Sequence, residues 1–180
     1  ITLFLPLVFA AVTYLAGDRL AKISAFTGSL LTLVGTVMLA QPLLSGSTNA
    51  ITFATLWITN PNIQFALQVD GLGWVMLLLA TILTPLIILS SFSKVIDNAR
   101  SFYALVLLMQ FGMMGVFVSA DAFLYYIFWE LALIPIYFIA LLWGENNDKA
   151  FRNRAVFKFF VYTLAGSLFM LIGFIYIYQF

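Results

Sequence analysis

The stretch AFLYYIFWELALIPIYFIALLW, residues 122–143, decides the fold. It runs between Asp121 and Gly144 with a single charged side chain, Glu130. A helix rises about 1.5 Å per residue and needs about 20 apolar residues to cross a bilayer's hydrocarbon core, so this stretch reads as one membrane span. The same reading applies to five more apolar runs, at about Thr2–Gly17, Ile23–Leu44, Leu72–Phe92, Phe102–Ala120 and Ala155–Phe180.

Composition agrees. Of 180 residues, 64% are hydrophobic and 8% charged, with a mean hydropathy of +1.09. A soluble domain is roughly 45–50% apolar and about 25% charged. Fifteen charged side chains cannot clothe a water-facing surface of this size. A soluble enzyme, a disordered linker and a nucleic-acid partner are excluded. The first run is short, but it lacks the basic flank of a signal peptide, because its positive charges follow it. Ile1 opens inside one apolar run and Ile175–Phe180 closes inside another. We therefore expect residues 1–180 to be one transmembrane domain forming the N-terminal part of a longer protein.

The charges test the span count. If six spans alternate, the loops after the first, third and fifth share one side. They hold Arg19 and Lys22, then Lys94 and Arg100, then Lys149, Arg152 and Arg154, and Lys158 enters the sixth span from that side. All eight basic residues are accounted for, and the opposite loops at 45–71 and 121 hold none. Loops rich in Lys and Arg stay cytoplasmic, which predicts an N-terminus outside in a multi-pass protein of the bacterial inner membrane. In the long outer loop, Ile63–Val69 alternates apolar and polar, Ile51–Ile58 is β-rich, and Thr59–Asn62 reads as a turn. The expected fold is thus an all-α polytopic membrane protein of about six helices, with a short β-hairpin on its outer surface that an adjoining chain would cover.

Cys and His are both absent. Thiolate metal sites, iron–sulfur clusters and bis-histidine haem therefore have no ligands in this chain, and no cofactor is expected in it. The informative residue is Glu130, about 12 Å from the outer end of its span and about 20 Å from the inner. A carboxylate that deep costs several kcal/mol unless it is neutral or paired in a polar cavity. One reading is a carboxyl that loads and unloads a proton; the other is an acid bonded between helices for packing. Pro135, five residues on, frees the Leu131 carbonyl and acts as a kink beside the acid or as an ordinary membrane proline. Lys158, about 15 Å from Glu130 along the bilayer normal, is too far for an ion pair. It either admits protons from the cytoplasmic side or snorkels. Tyr126 and Tyr137 share the Glu130 face, Gly112, Gly115, Gly166 and Ser167 suit close helix packing, and Asp70 suits an N-cap. Trp57, Trp74 and Trp143 lie where an interfacial belt would.

At Phe128–Phe138 (FWELALIPIYF) the sequence resembles the antiporter-like membrane subunits of proton-pumping NADH:quinone oxidoreductase, respiratory complex I, in particular the chain-M group, a family shared with Mrp cation/proton antiporters. Asp70-Gly71-Leu72, Leu142-Trp143-Gly144 and Lys158–Thr163 (KFFVYT) agree with it, and the likeness is strongest from Gln68 to Leu171. The resemblance implies proton translocation coupled to quinone reduction elsewhere in the complex, with Glu130 in a membrane-embedded polar axis paired to a lysine of the next helix. It implies no NADH, flavin or iron–sulfur cluster in this chain, lipid and other complex I membrane subunits as partners, and an outer hairpin that touches antiporter-like neighbours. An Mrp-type antiporter subunit and a purely structural scaffold are the other readings.

Overall fold

The apolar runs fold as helices because hydrocarbon leaves backbone N–H and C=O groups no partner but each other. The computed structural model describes residues 2–41, 51–59, 63–144 and 148–179. The end of the run expected at Ile23–Leu44, most of the Thr59–Asn62 turn, and Phe180 lie outside the described residues. A 3-10 turn at Thr2–Phe4 leads into α1 (Leu5–Leu15) and α2 (Asp18–Met38). Strands β1 (Ile51–Ile58) and β2 (Ile63–Val69) follow. Then come α3 (Gly71–Ser90), α4 (Ala99–Val118), α5 (Ala122–Trp143) and α6 (Lys149–Gln179). The helices from α2 to α6 are long and apolar enough to cross a membrane, and the helical stretch Thr2–Leu15 is shorter.

Helix starts follow caps rather than charges, so α2, α4 and α6 begin earlier than the apolar runs suggest. Gly17, with φ of 77°, turns the chain so that α2 starts at Asp18 and takes Arg19 and Lys22 into its first turns. Asp148 accepts from the N–H groups of Ala150 and Phe151, at 2.9 and 3.2 Å, and α6 starts beside it. Asp70 accepts from Gly73 N–H at 2.6 Å, as an N-cap should. Asp121 caps α5 through Phe123 and Leu124. Pro135, read as either a kink or an ordinary membrane proline, sits inside a helix that runs through it unbroken, as does Pro85 in α3.

The two ends of the bundle differ. At one, Lys22 Nζ donates to the carbonyls of Phe92 and Lys94, both at 3.1 Å. Asp18 accepts from Arg100 N–H at 2.9 Å, and Trp143 Nε1 donates to the Asp97 carbonyl. These bonds tie the α1–α2, α3–α4 and α5 ends together, so the basic loops converge as their alternation requires. At the other end β1 and β2 pair antiparallel, from Ile51 opposite Val69 to Ile58 opposite Ile63, with an irregularity between Leu56 and Ile58. Gln64 and Gln68 face outward, while Ile63, Phe65, Leu67 and Val69 turn inward, as the alternation predicts. The inner strand β2 is fastened to the α4–α5 corner. Ala120 N–H donates to Ala66 C=O at 2.9 Å, and Gln64 N–H reaches Asp121. The outer strand β1 leaves Phe53, Leu56 and Trp57 exposed.

Helix α4 is the central post. It supplies Phe111, Met114 and Val118 to a core near the hairpin, with Leu3, Val69, Leu77, Leu124 and Phe128. It supplies Tyr103, Val106 and Leu107 to a second core toward the basic end, with Ala10, Ala21, Ala25 and Ile88. Lipid tails are as apolar as leucine, so helices associate through close packing of small residues. A Cβ on Gly112 would lie 2.9 Å from the Ala132 Cα, and one on Gly115 would lie inside the Phe128 ring. Helix α6 packs chiefly on α5. Most of its large apolar side chains, Phe157, Tyr162 and Phe169 among them, are exposed.

Gly112→Val should lower stability by about 1–3 kcal/mol, because the neighbouring group is backbone and cannot swing away. Gly71→Ala, which meets nothing within 4 Å, should leave it nearly unchanged. Thermal unfolding of the purified protein in detergent reads both. Equal midpoints for Gly112→Val and the native chain would contradict the close α4–α5 approach.

Candidate functional site: a carboxyl–hydroxyl cluster between α5 and α6

Helix α5 has the bounds its sequence suggests, so Glu130 stands about 12 Å along it. Tyr126, one turn earlier, and Tyr137, two turns later, share its face. That face meets α6. Tyr137 packs on Phe160 with ring centroids 5.0 Å apart, and Tyr125 meets Phe174 at 6.3 Å. The antiparallel register between these contacts brings Ser167 to the height of Glu130.

Ser167 is buried, and its hydroxyl is hydrogen-bonded to Glu130 Oε1. The same hydroxyl lies 2.8 Å from the Leu164 carbonyl of its own helix. Tyr126, one turn earlier on α5, stands beside the cluster and interacts electrostatically with Glu130. The arrangement serves two protonation states. When Glu130 is ionised, Ser167 donates to it. When Glu130 carries a proton, the acid donates to Ser167 Oγ, and the serine hydrogen turns to the Leu164 carbonyl. The cluster can therefore take up or release one proton while the Ser167 hydroxyl stays hydrogen-bonded to Glu130 in either state.

The other expected residues are placed apart. Lys158 lies nine residues before Ser167, about 13 Å along α6 and half a turn of azimuth away, and is exposed. It faces away from the seam, in keeping with an axial gap too long for an ion pair. Pro135 is buried about 140° round α5 from Glu130. Tyr137 takes the packing role beside Phe160. Gly112 and Gly115 make the close approaches expected of them, whereas a Cβ on Gly166 would meet nothing within 4 Å among the described residues. Ser167, read in sequence only as a packing residue, proves to be the carboxyl's partner. Among the described residues no three His, Cys, Asp or Glu side chains gather as a metal-binding group. An apolar cleft between the hairpin, α5 and α6, lined by Ile63, Phe123, Phe174 and Tyr178, lies beyond the cluster toward the hairpin end.

Comparison with known proteins gives this geometry a context. Residues 119–180, which carry the whole cluster, match the family described as NADH:quinone oxidoreductase/Mrp antiporter, TM. The chain is 38% identical over 174 residues to the F(420)H(2) dehydrogenase subunit M of Methanosarcina mazei, covering 95% of this chain and 34% of that protein. It is 32% identical to the NADH-quinone oxidoreductase subunit M of Rickettsia prowazekii, covering 99% of this chain and 37% of that one. The chain thus spans about a third of the length of these curated relatives. Its fold superposes with a TM-score of 0.79 on a chain of respiratory complex I from Thermus thermophilus, at 27% identity, with 95% of this chain and 34% of that one covered. It reaches the same TM-score at 21% identity on a chain of the archaeal membrane-bound sulfane sulfur reductase, a likeness of fold, covering 99% of this chain and 27% of that one. Both structural neighbours are chains of multi-subunit respiratory complexes. Sequence and fold together make this chain similar, over nearly its whole length, to subunit M of NADH-quinone oxidoreductases, with residues 119–180 matching the family described as NADH:quinone oxidoreductase/Mrp antiporter.

Proposed function

We propose that this chain is part of a proton-translocating membrane subunit of an NADH:quinone oxidoreductase, driven by quinone reduction elsewhere in the complex. The observation that carries the reading is the Glu130 carboxyl, held at membrane depth by a hydroxyl that suits both its protonated and its ionised form. A packing acid needs only one of those states. The relatives' names differ in electron donor, F(420)H(2) in one and NADH in another, while the sequence stays similar. That supports a role on the transport side, common to both, with electrons carried by other subunits and no cofactor in this chain.

In this reading the basic end faces the cytoplasm of a bacterial inner membrane and the N-terminus lies outside. Glu130 exchanges its proton with a lysine of a further helix and with water. Lys158, at the cytoplasmic half of α6, admits protons from that side, and Pro135 loosens α5 one turn beyond the acid. Lipid, antiporter-like neighbours at the hairpin and other complex I membrane subunits are the partners. The family match spans Mrp antiporters as well, and a cation/proton antiporter subunit is the second reading.

Glu130→Gln in the full-length subunit should remove more than half of the protons moved per electron pair and leave electron transfer and assembly intact. Proton uptake by inverted membrane vesicles, measured against donor oxidation, reads the ratio. A native ratio sinks the proposal, and sodium transport lost without any change in donor oxidation favours the antiporter. Ser167→Ala removes the partner of both states, worth on the order of 1 kcal/mol at a half-exposed acid, and should slow pumping severalfold. Ser167→Thr keeps the hydroxyl and should restore it. Equal rates in the Ala and Thr variants would leave the hydroxyl without a part in proton transfer.

A further inference from the structure

Gln110 lies near the middle of α4, 1% exposed, and neither its amide nitrogen nor its amide oxygen has a hydrogen-bond partner among the described residues. Its face carries Tyr103, Val106, Leu107 and Met114, while Gly112 and Gly115, about half a turn round, press on α5. Gln110 therefore points into the bundle of α1, α2 and α3, on the far side of α4 from Glu130.

The helix α3 runs antiparallel to α4, with Ser91 Oγ 2.8 Å from the Tyr103 hydroxyl at one end and Leu77 beside Met114 at the other. Interpolating between these points puts Thr81 and Thr84, both buried, at about the height of Gln110. Their hydroxyls already donate to carbonyls of their own helix, Thr81 to Leu77 at 2.8 Å and Thr84 to Ala80 at 3.0 Å. Buried Ser29, Thr32 and Thr36 of α2 do the same. The neighbouring hydroxyls thus offer lone pairs and no spare hydrogens, so none of them can donate to the amide oxygen of Gln110. A cation would satisfy that oxygen and leave the NH2 group bare; an anion would do the reverse. Water brings both donors and acceptors.

We propose that Gln110 anchors an internal water-binding site inside the α1–α4 bundle, a second polar station at membrane depth, separate from the Glu130 cluster. The bound water donates to the amide oxygen, accepts from the amide N–H, and has the Thr81 and Thr84 oxygens within its reach as further acceptors. The assignment stands apart from the proton-transfer reading, since it follows from the hydrogen bonds of an uncharged side chain.

Met114 provides the readout. It sits one turn beyond Gln110 on the same face, is 1% exposed, and a helical side chain leans back over the preceding turn. Membranes holding the full-length protein are equilibrated in ¹⁸O-enriched water and given a short X-ray pulse. Hydroxyl radicals arise wherever water is bound, and the Met114 sulfur should acquire ¹⁸O although no bulk water reaches it. Gln110→Leu should lower Met114 labelling at least fivefold and leave Trp57, exposed on the hairpin, labelled as before. An unlabelled Met114 in the native protein overturns the site, and so does equal labelling in Gln110→Leu. The native measurement decides the matter even where the variant fails to assemble.

Discussion

Hydrocarbon supplies no hydrogen bonds, and that constraint governs every polar atom in this structure. Helix ends are closed by Asp70, Asp121 and Asp148. Ladder-free carbonyls between α3 and α4 are taken by a lysine from α2. The buried threonines of α2 and α3 fold back onto their own helices and so present a nearly apolar surface to their neighbours. Against that background two side chains stand out. Glu130 meets the constraint by finding Ser167 across the α5–α6 seam, with Tyr126 one turn away on its own helix. Gln110 finds no hydrogen-bond partner among the described residues.

The helices meet under a second rule of the same solvent. With no hydrophobic drive between them, contact depends on backbones coming close. Gly112 and Gly115 let α4 approach Ala132 and Phe128, and Gly28 lets α2 meet Phe9 of α1. The result is a well-packed group from α1 to α5 around α4, with α6 resting on α5 alone among its main contacts. The Glu130 cluster therefore lies on the boundary between the tightest and the least covered parts of the chain.

Much of this was legible in the residues. The one-sided placement of eight basic side chains gave the number and alternation of the helices, because a missed helix would have scattered them. The alternation at Ile63–Val69 gave the inner strand and its buried face. Helix starts were not legible to better than a few residues, since Arg19, Lys22 and Arg152 ride inside helices whose boundaries are set by Gly17 and Asp148. Glu130 was legible as an anomaly of charge and depth. Its partner was within reach: counting inward from Ala155 as far as Glu130 lies from Trp143 ends at Leu168, next to Ser167. A serine is too common in membrane helices to stand out until the register between two helices is known. Gln110 carried no signal, because an amide in an apolar run says nothing about whether its neighbours have hydrogens to spare.

The shared hydroxyl of Ser167 has a kinetic meaning. Because one oxygen faces both the carboxyl and the Leu164 carbonyl, changing the charge on Glu130 asks for the rotation of one O–H bond and no shift of backbone. Such rotors turn in picoseconds to nanoseconds. The local step is then faster than any helix motion or solvent rearrangement, and the clock of the site is set by whatever brings the proton to it.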